Sequence, residues 1–127
     1  MKIVVVGGGF AGINFAKSLA AKPDIEVILV DQNNYNFFPP LIYQVATAFI
    51  EPSNISLPFR RMFQHKSNIN FFNAKFLEVV PLQSIIKTDK GDLAYDKLVL
   101  ALGTETNFYG LENVRNNALV LKSINDA

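Results

Sequence analysis

The first 31 residues, MKIVVVGGGFAGINFAKSLAAKPDIEVILVD, constrain the fold more than any other stretch of the chain. Ile3 to Val6 is an unbroken apolar run rich in β-branched side chains, the composition of a strand buried on both faces. Gly7, Gly9 and Gly12 follow in the spacing G-x-G-x-x-G. Ile13, Ala16, Leu19 and Ala20 then recur with a helical period. Glu26 to Val30 is a second strand of the buried type, and it ends on Asp31, 24 residues after Gly7 (31 − 7).

This order of strand, glycine turn, helix, strand and acid suits the pyrophosphate of a dinucleotide. Gly7 lets the chain turn tightly out of the strand. Gly9 leaves room for an approaching phosphate, and Gly12 lets the helix pack close to the sheet. The helix N-terminus offers N–H donors and the positive end of a dipole to the anion. Asp31, at the tip of the second strand, is placed to accept hydrogen bonds from both hydroxyls of an unphosphorylated ribose, and it would repel a 2′-phosphate. A glycine triplet alone also marks ordinary turns; the flanking strand, helix and acid give it meaning. The motif leaves open whether the ligand is NAD or FAD.

At 127 residues the chain is read as a single domain, residues 1–127. Half of its residues are apolar and 18% are charged, which favours a folded core over disorder. A net charge of +1 without any basic run argues against nucleic acid. Met1 leads directly into the first strand with no signal-peptide pattern, and no apolar run approaches the ~20 residues of a membrane span. Cysteine is absent, which fits a reducing compartment.

After Asp31 the texture changes. QNNYNFFPPLIYQVATAFIEPS is neither strand-like nor cleanly helical, and Pro39, Pro40 and Pro52 are expected to block regular structure. It is unusually apolar for a loop, with Tyr35, Phe37, Phe38, Leu41, Ile42, Tyr43 and Val45 within eleven positions. Such a loop either plugs the edge of a core or lines a flat cofactor ring. Ser56 is expected to cap a helix that carries Pro58 in its first turn and runs to about Lys66. Phe59, Met62 and Phe63 would share its inner face, with Arg60 and Arg61 in solvent. His65, the single histidine, stands near that helix end and has no partner for a triad or a metal site.

Asn70 to Phe72 reads as a third parallel strand. Lys75–Val80, Ser84–Thr88 and Asp92–Tyr95 read as an antiparallel meander, the last two joined by the hairpin signal Asp89-Lys90-Gly91. KLVLAL, residues 97–102, returns as a buried strand. The tail from Asn107 to Ala127 looks mostly irregular, with an apolar run at Ala118–Leu121 and a helix start at Ser123. The fold class is therefore α/β: a Rossmann-like parallel sheet with a β-meander crossover, incomplete at its C-terminus.

With YDKLVLALGTETNFYG after a meander, the chain resembles flavoproteins built from two dinucleotide-binding domains. Within that group it is most similar to type II NADH dehydrogenases, the single-chain NADH:quinone oxidoreductases. The matching segments are VVVGGGFAG, NFFPPLIYQVATA, ISLPFR and YDKLVLALGTETNFYGLENV. The resemblance implies FAD as cofactor, held by Gly7, Gly9, Ala11, Gly12, Asp31 and Gln32. Thr47 would lie beside the isoalloxazine, and Ala101 and Gly103 would pass close to the cofactor. No catalytic residue and no metal ligand is assigned. Ala48 stands where such relatives usually have glycine, and Leu111-Glu112-Asn113 where a proline-glycine pair is common.

A second G-x-G-x-x-G, which holds NADH in such relatives, is not in this sequence. The chain is therefore read as an N-terminal fragment, inactive alone and prone to self-association through Phe37, Phe38, Leu41, Ile42 and Tyr43. The whole enzyme would pass a hydride from NADH through FAD to a quinone, as a peripheral protein on the cytoplasmic face of a membrane that it meets through a missing C-terminal part. Disulfide reductases of similar fold carry a redox cysteine pair in the loop facing the flavin, where this chain offers no thiol; sulfide:quinone reductases also need cysteines, though theirs lie partly outside this stretch. The alternative is a non-catalytic NAD- or nucleotide-binding Rossmann module. A short-chain dehydrogenase would need Tyr-x-x-x-Lys, but Tyr43 is followed by Thr47 and Tyr95 by Val99.

Overall fold

The apolar run after Met1 forms strand β1, Lys2–Val6, at the interior of a four-stranded parallel sheet. A computed structural model describes every residue from Met1 to Ala127. Helix α1 (Phe10–Ser18) leads to β2 (Glu26–Asp31), and short strand β3 (Tyr35–Phe37) follows. Helices α2 (Ile42–Ala46) and α3 (Pro52–Ile55) precede β4 (Ser56–Pro58) and the single turn α4 (Phe59–Met62). Then come β5 (Ile69–Asn73), β6 (Phe76–Val80), β7 (Ile85–Thr88), β8 (Gly91–Ala94), β9 (Lys97–Leu100) and helix α5 (Glu112–Asn117).

The main sheet runs β5-β2-β1-β9, with β1 in register against β2 from Lys2↔Glu26 to Val6↔Val30 and against β9 from Ile3↔Lys97 to Val6↔Leu100. Alternation along β1 divides its side chains between two faces. Ile3 and Val5 pack with Ile13, Ala16 and Leu19 of α1 and with Phe59 and Phe63; Val4 and Val6 pack with Val30, Ala74 and Ile86. A strand covered on both sides has no polar position, which is why IVVV carries none. The second face is covered by the meander β6-β7-β8, whose β7–β8 turn is Asp89-Lys90 with Gly91 at φ +120°. The meander thus stands where a plain alternating fold would put a helix. β3 and β4 form a separate two-stranded ladder.

Between Asp31 and Lys66 two expectations are corrected. The helix from Ser56 to Lys66 is broken: Ser56 and Pro58 belong to β4, and the Ser56 hydroxyl donates to the Pro52 carbonyl at 2.8 Å instead of capping a following helix. Phe59 and Phe63 are nevertheless buried as expected, at 0% and 5% exposure. The prolines also do not keep the segment after Asp31 irregular. Pro39 and Pro40 open a 3₁₀ turn, Pro39–Leu41, and Pro52 opens α3. Proline has no N–H to lose in a first turn, and its φ is already helical there.

The chain divides into two compact units: Met1–Asn36 with Pro58–Gly103, and Phe37–Leu57 with Thr104–Ala127. The first holds the sheet, α1, the meander and both apolar clusters. The second holds α2, α3 and α5. Within it, α2 ends in a Schellman turn: Ala48 N–H donates to Val45 O at 2.9 Å and Phe49 N–H to Gln44 O at 2.8 Å. Ala48 takes the left-handed position of that turn, with φ +56°. Of the apolar residues expected to remain uncovered, Ile42 is buried, Phe37 and Leu41 are half-buried, and Phe38 and Tyr43 are exposed. Ser123 to Asp126 is a tight turn rather than a helix, and α5 is the one helix in the tail. The Asp126 carboxylate accepts from the N–H groups of Lys122 and Ser123, which holds its pKa below the ordinary value. No helix is long and apolar enough to cross a membrane.

Candidate dinucleotide site

β1, β2 and β9 all end at the same edge of the sheet, the C-terminal edge where parallel α/β sheets bind ligands. Gly7 leaves β1 still tied to the sheet, its N–H donating to Val30 O at 2.8 Å, and Ala101 continues β9 by donating to Val6 O at 2.7 Å. A Cβ on Gly7 would sit 2.2 Å from the Ala101 carbonyl oxygen, and the residue has φ +103°, so both space and conformation require glycine. A Cβ on Gly12 would lie 1.9 Å from Gly7 O. This is the close helix–strand approach expected of the third glycine in the motif.

Gly9 differs from its neighbours. It is exposed, no atom lies within 4 Å of a Cβ built there, and it is the N-cap of α1 with no side-chain cap. Ala11, also exposed, and Gly12 follow in the first turn, where helical N–H groups have no intrahelical acceptor. Beside this open helix end stands Asp31. Its Oδ2 accepts the Gly8 N–H at 2.7 Å and its Oδ1 the Asn33 N–H at 2.8 Å. A carboxylate has about four lone-pair positions, so each oxygen keeps one for a further donor.

The first unit thus brings together Gly7, Gly9, Ala11, Gly12, Asp31 and Ala101. Gln32 lies in the turn after β2, exposed, with its carbonyl accepting from the Asn73 side-chain amide at 2.9 Å. Gly103, two residues beyond Ala101, is exposed at φ +76°. Thr47 belongs to the second unit. Its hydroxyl donates back to Tyr43 O at 3.0 Å, with Gln44 O at 3.3 Å, which leaves its lone pairs as the outward function.

Three residues at the site escape a motif reading. Gly8, the unassigned middle glycine, is buried, and a Cβ there would meet the Phe59 ring at 2.2 Å. The Asn36 side-chain amide donates to Gly8 O at 2.9 Å. Phe59 is visible in the sequence only as an apolar position, although its ring also stacks obliquely on Phe71 with centroids 4.8 Å apart. The run of three glycines was the one available hint that the middle member is also crowded.

The arrangement fits a dinucleotide on its own terms: an open cradle at Gly9, an uncapped helix end, and an acid with remaining acceptor capacity beside it. Comparison with known proteins agrees. Residues 1–127 match the pyridine nucleotide-disulphide oxidoreductase family throughout. A type II NADH:quinone oxidoreductase of Mycobacterium tuberculosis is 30% identical over 131 residues, covering 99% of this chain and 28% of that protein. An external alternative NAD(P)H-ubiquinone oxidoreductase of Solanum tuberosum mitochondria is 28% identical, over 99% of this chain and 24% of its own length. Among solved structures, the sulfide:quinone oxidoreductase of Aquifex aeolicus superposes with TM-score 0.85 at 28% identity, over 98% of this chain and 29% of that one. NDH2 from Plasmodium falciparum in complex with NADH shares the fold, with TM-score 0.86 at 24% identity over 98% of this chain and 27% of its own. The chain spans less than a third of the length of each of these relatives. Sequence and fold together show that it belongs to the pyridine nucleotide-disulphide oxidoreductase family.

Proposed function

We propose that this chain is the FAD-binding portion of an NADH:quinone oxidoreductase of type II. The single observation that carries the reading is the contrast among the motif glycines. Gly7 and Gly12 are closed by backbone, as the turn and the helix packing need, while a Cβ on Gly9 alone of the three would meet nothing within 4 Å. Gly9, Ala11 and Gly12 would hold the FAD pyrophosphate, Asp31 the adenosine ribose, and Gln32, Thr47, Ala101 and Gly103 would lie along the rest of the cofactor. Bound FAD would supply the redox chemistry that links NADH to a quinone. The chain's own residues bind and orient; no side chain in it is given a covalent role. The absence of cysteine in these 127 residues supports an acceptor that needs no protein thiol, despite the disulphide in the family name.

The test is Gly9→Val in the full-length enzyme. A Cβ there meets nothing of the fold within 4 Å, so the valine should occupy the cradle and flavin should be lost with the circular dichroism spectrum unchanged. Normal flavin content in a normally folded variant would sink the assignment. A visible absorbance near ~450 nm in the parent separates this reading from a colourless nicotinamide module.

One dinucleotide fingerprint serves one dinucleotide. NADH and FAD would compete for the same helix end and the same Asp31, so the 127-residue chain alone does not oxidise NADH. Its exposed apolar side chains, Tyr43 and Phe49 among them, favour self-association instead. Turnover with NADH, added FAD and a soluble quinone, well above that of free flavin, would overturn the single-site reading.

A further inference from the structure

Two successive peptide groups of the glycine loop are held by side chains from elsewhere in the first unit. The Gly7–Gly8 peptide is fixed through its N–H, which donates to Asp31 Oδ2 at 2.7 Å. A trans peptide directs its C=O opposite to its N–H, so the Gly7 carbonyl is turned away from Asp31 and toward α1, where a Cβ on Gly12 would meet its oxygen at 1.9 Å. The Gly8–Gly9 peptide is fixed through its C=O, which accepts from Asn36 Nδ2 at 2.9 Å in a partly buried setting. Strand alternation in β3 puts Tyr35 and Phe37 on one side and Asn36 on the other. By the same planarity, the bond to Asn36 sends the Gly9 N–H away from Asn36. That N–H donates to no group of the chain, and Gly9 is exposed.

We propose that Asn36 is a positioning residue of the dinucleotide site: by holding the Gly8 carbonyl, it aims the Gly9 N–H at the pyrophosphate. The inference rests on the dinucleotide reading above and goes beyond it, because the Asn36 side chain bonds to Gly8, which that reading assigns no part in holding the cofactor. Three consecutive glycines have the widest backbone freedom of any tripeptide, so an unsecured Gly8–Gly9 peptide could rotate and present a carbonyl oxygen to the anion. Phe59 blocks one face of Gly8 but makes no hydrogen bond to its carbonyl; Asn36 supplies the directional restraint.

The experiment uses the 127-residue chain, isotopically labelled, with adenosine diphosphate as the probe because it carries the ribose and pyrophosphate without the flavin ring. In the parent, adding the probe should shift the Gly9 amide resonance. Asn36→Leu keeps the size of the side chain and removes the donor. It should displace the Gly9 amide resonance before any probe is added and weaken probe binding about tenfold, equivalent to about 1.4 kcal/mol. Asn36→Ala is the second variant should the leucine not fold, and circular dichroism reports folding for both.

Folded variants that bind the probe within twofold of the parent would overturn the role of Asn36 and leave the dinucleotide reading standing. A parent that binds the probe with Asp31 responding and Gly9 silent would do the same, whether or not either variant folds. A parent that does not bind the probe at all would overturn both.

Discussion

The two units of the chain are built on different principles. In the first, order comes from residues far apart in sequence: β1 pairs with β9 across more than ninety positions, and Phe59 closes against Gly8 and Phe71. In the second, the hydrogen bonds are mostly local, such as the Schellman turn of α2, the Ser56–Pro52 bond and the turn around Asp126. Ile42 and Ile55 are its only buried apolar side chains, while Phe49 is 76% exposed and Tyr109 84%. The site follows the same division. Rigid features of the cradle, Gly7, Gly12 and Asp31, lie in the unit with the strong core. A dinucleotide site needs fixed backbone donors, and fixed backbone needs a packed sheet behind it.

The largest expected effect sharpens this contrast directly. Phe59→Ala removes a fully buried ring from the first cluster and from above Gly8, and should destabilise the chain by about 3–5 kcal/mol. Phe49→Ala deletes the same side chain in the second unit, where it is exposed, and should change stability by no more than about 0.5 kcal/mol. Urea denaturation of both variants measures the difference. Equal losses would mean that the second unit is packed as firmly as the first.

Gly12→Ala tests the helix–strand approach at the heart of the motif. The added methyl meets Gly7 O, a backbone atom that cannot swing aside, so α1 must lift off the sheet. The expected loss is about 3 kcal/mol, the upper end for overpacking. A midpoint unchanged in denaturant would show that α1 sits further from β1 than 1.9 Å to that Cβ implies.

Much of the first unit was legible in the sequence, for a physical reason. Strands buried on both faces must be apolar throughout, so Ile3–Val6 and Glu26–Val30 mark themselves, and the glycine spacing fixes the turn between strand and helix. The meander was legible because Asp89-Lys90-Gly91 is a turn with its own chemistry. The rest of the site was not. Asn36 and Phe59 act on Gly8 through tertiary contacts that no local spacing encodes, and an asparagine between two aromatics looks like any loop residue. The segment after Asp31 departs from its expected irregularity because proline, a breaker inside a helix, starts a helical turn at Pro39 and Pro52. The role of Ser56 is not legible locally, because a hydroxyl shortly before a proline suits a cap and an end-of-helix bond equally well; α3 decides for the latter.

The smallest prediction concerns the locally ordered unit and the one strained residue in its α2 turn. Ala48 occupies the left-handed position of the Schellman motif, where a Cβ costs roughly 1–2 kcal/mol. Ala48→Gly relieves that strain but loosens the unfolded chain, which offsets about 0.4–1 kcal/mol. The net gain should be about 0.5–1 kcal/mol. Because the bonds involved are local, the gain should appear where they are: the Phe49 amide, which donates to Gln44 O at 2.8 Å, should exchange its hydrogen about two- to fivefold more slowly. Amides of β1 and β2 should be protected as before, since their order depends on the two apolar clusters of the sheet. If the slowing instead spreads to β1 and β2, the two units open together, and the separation between locally and distantly ordered regions does not describe how this chain unfolds.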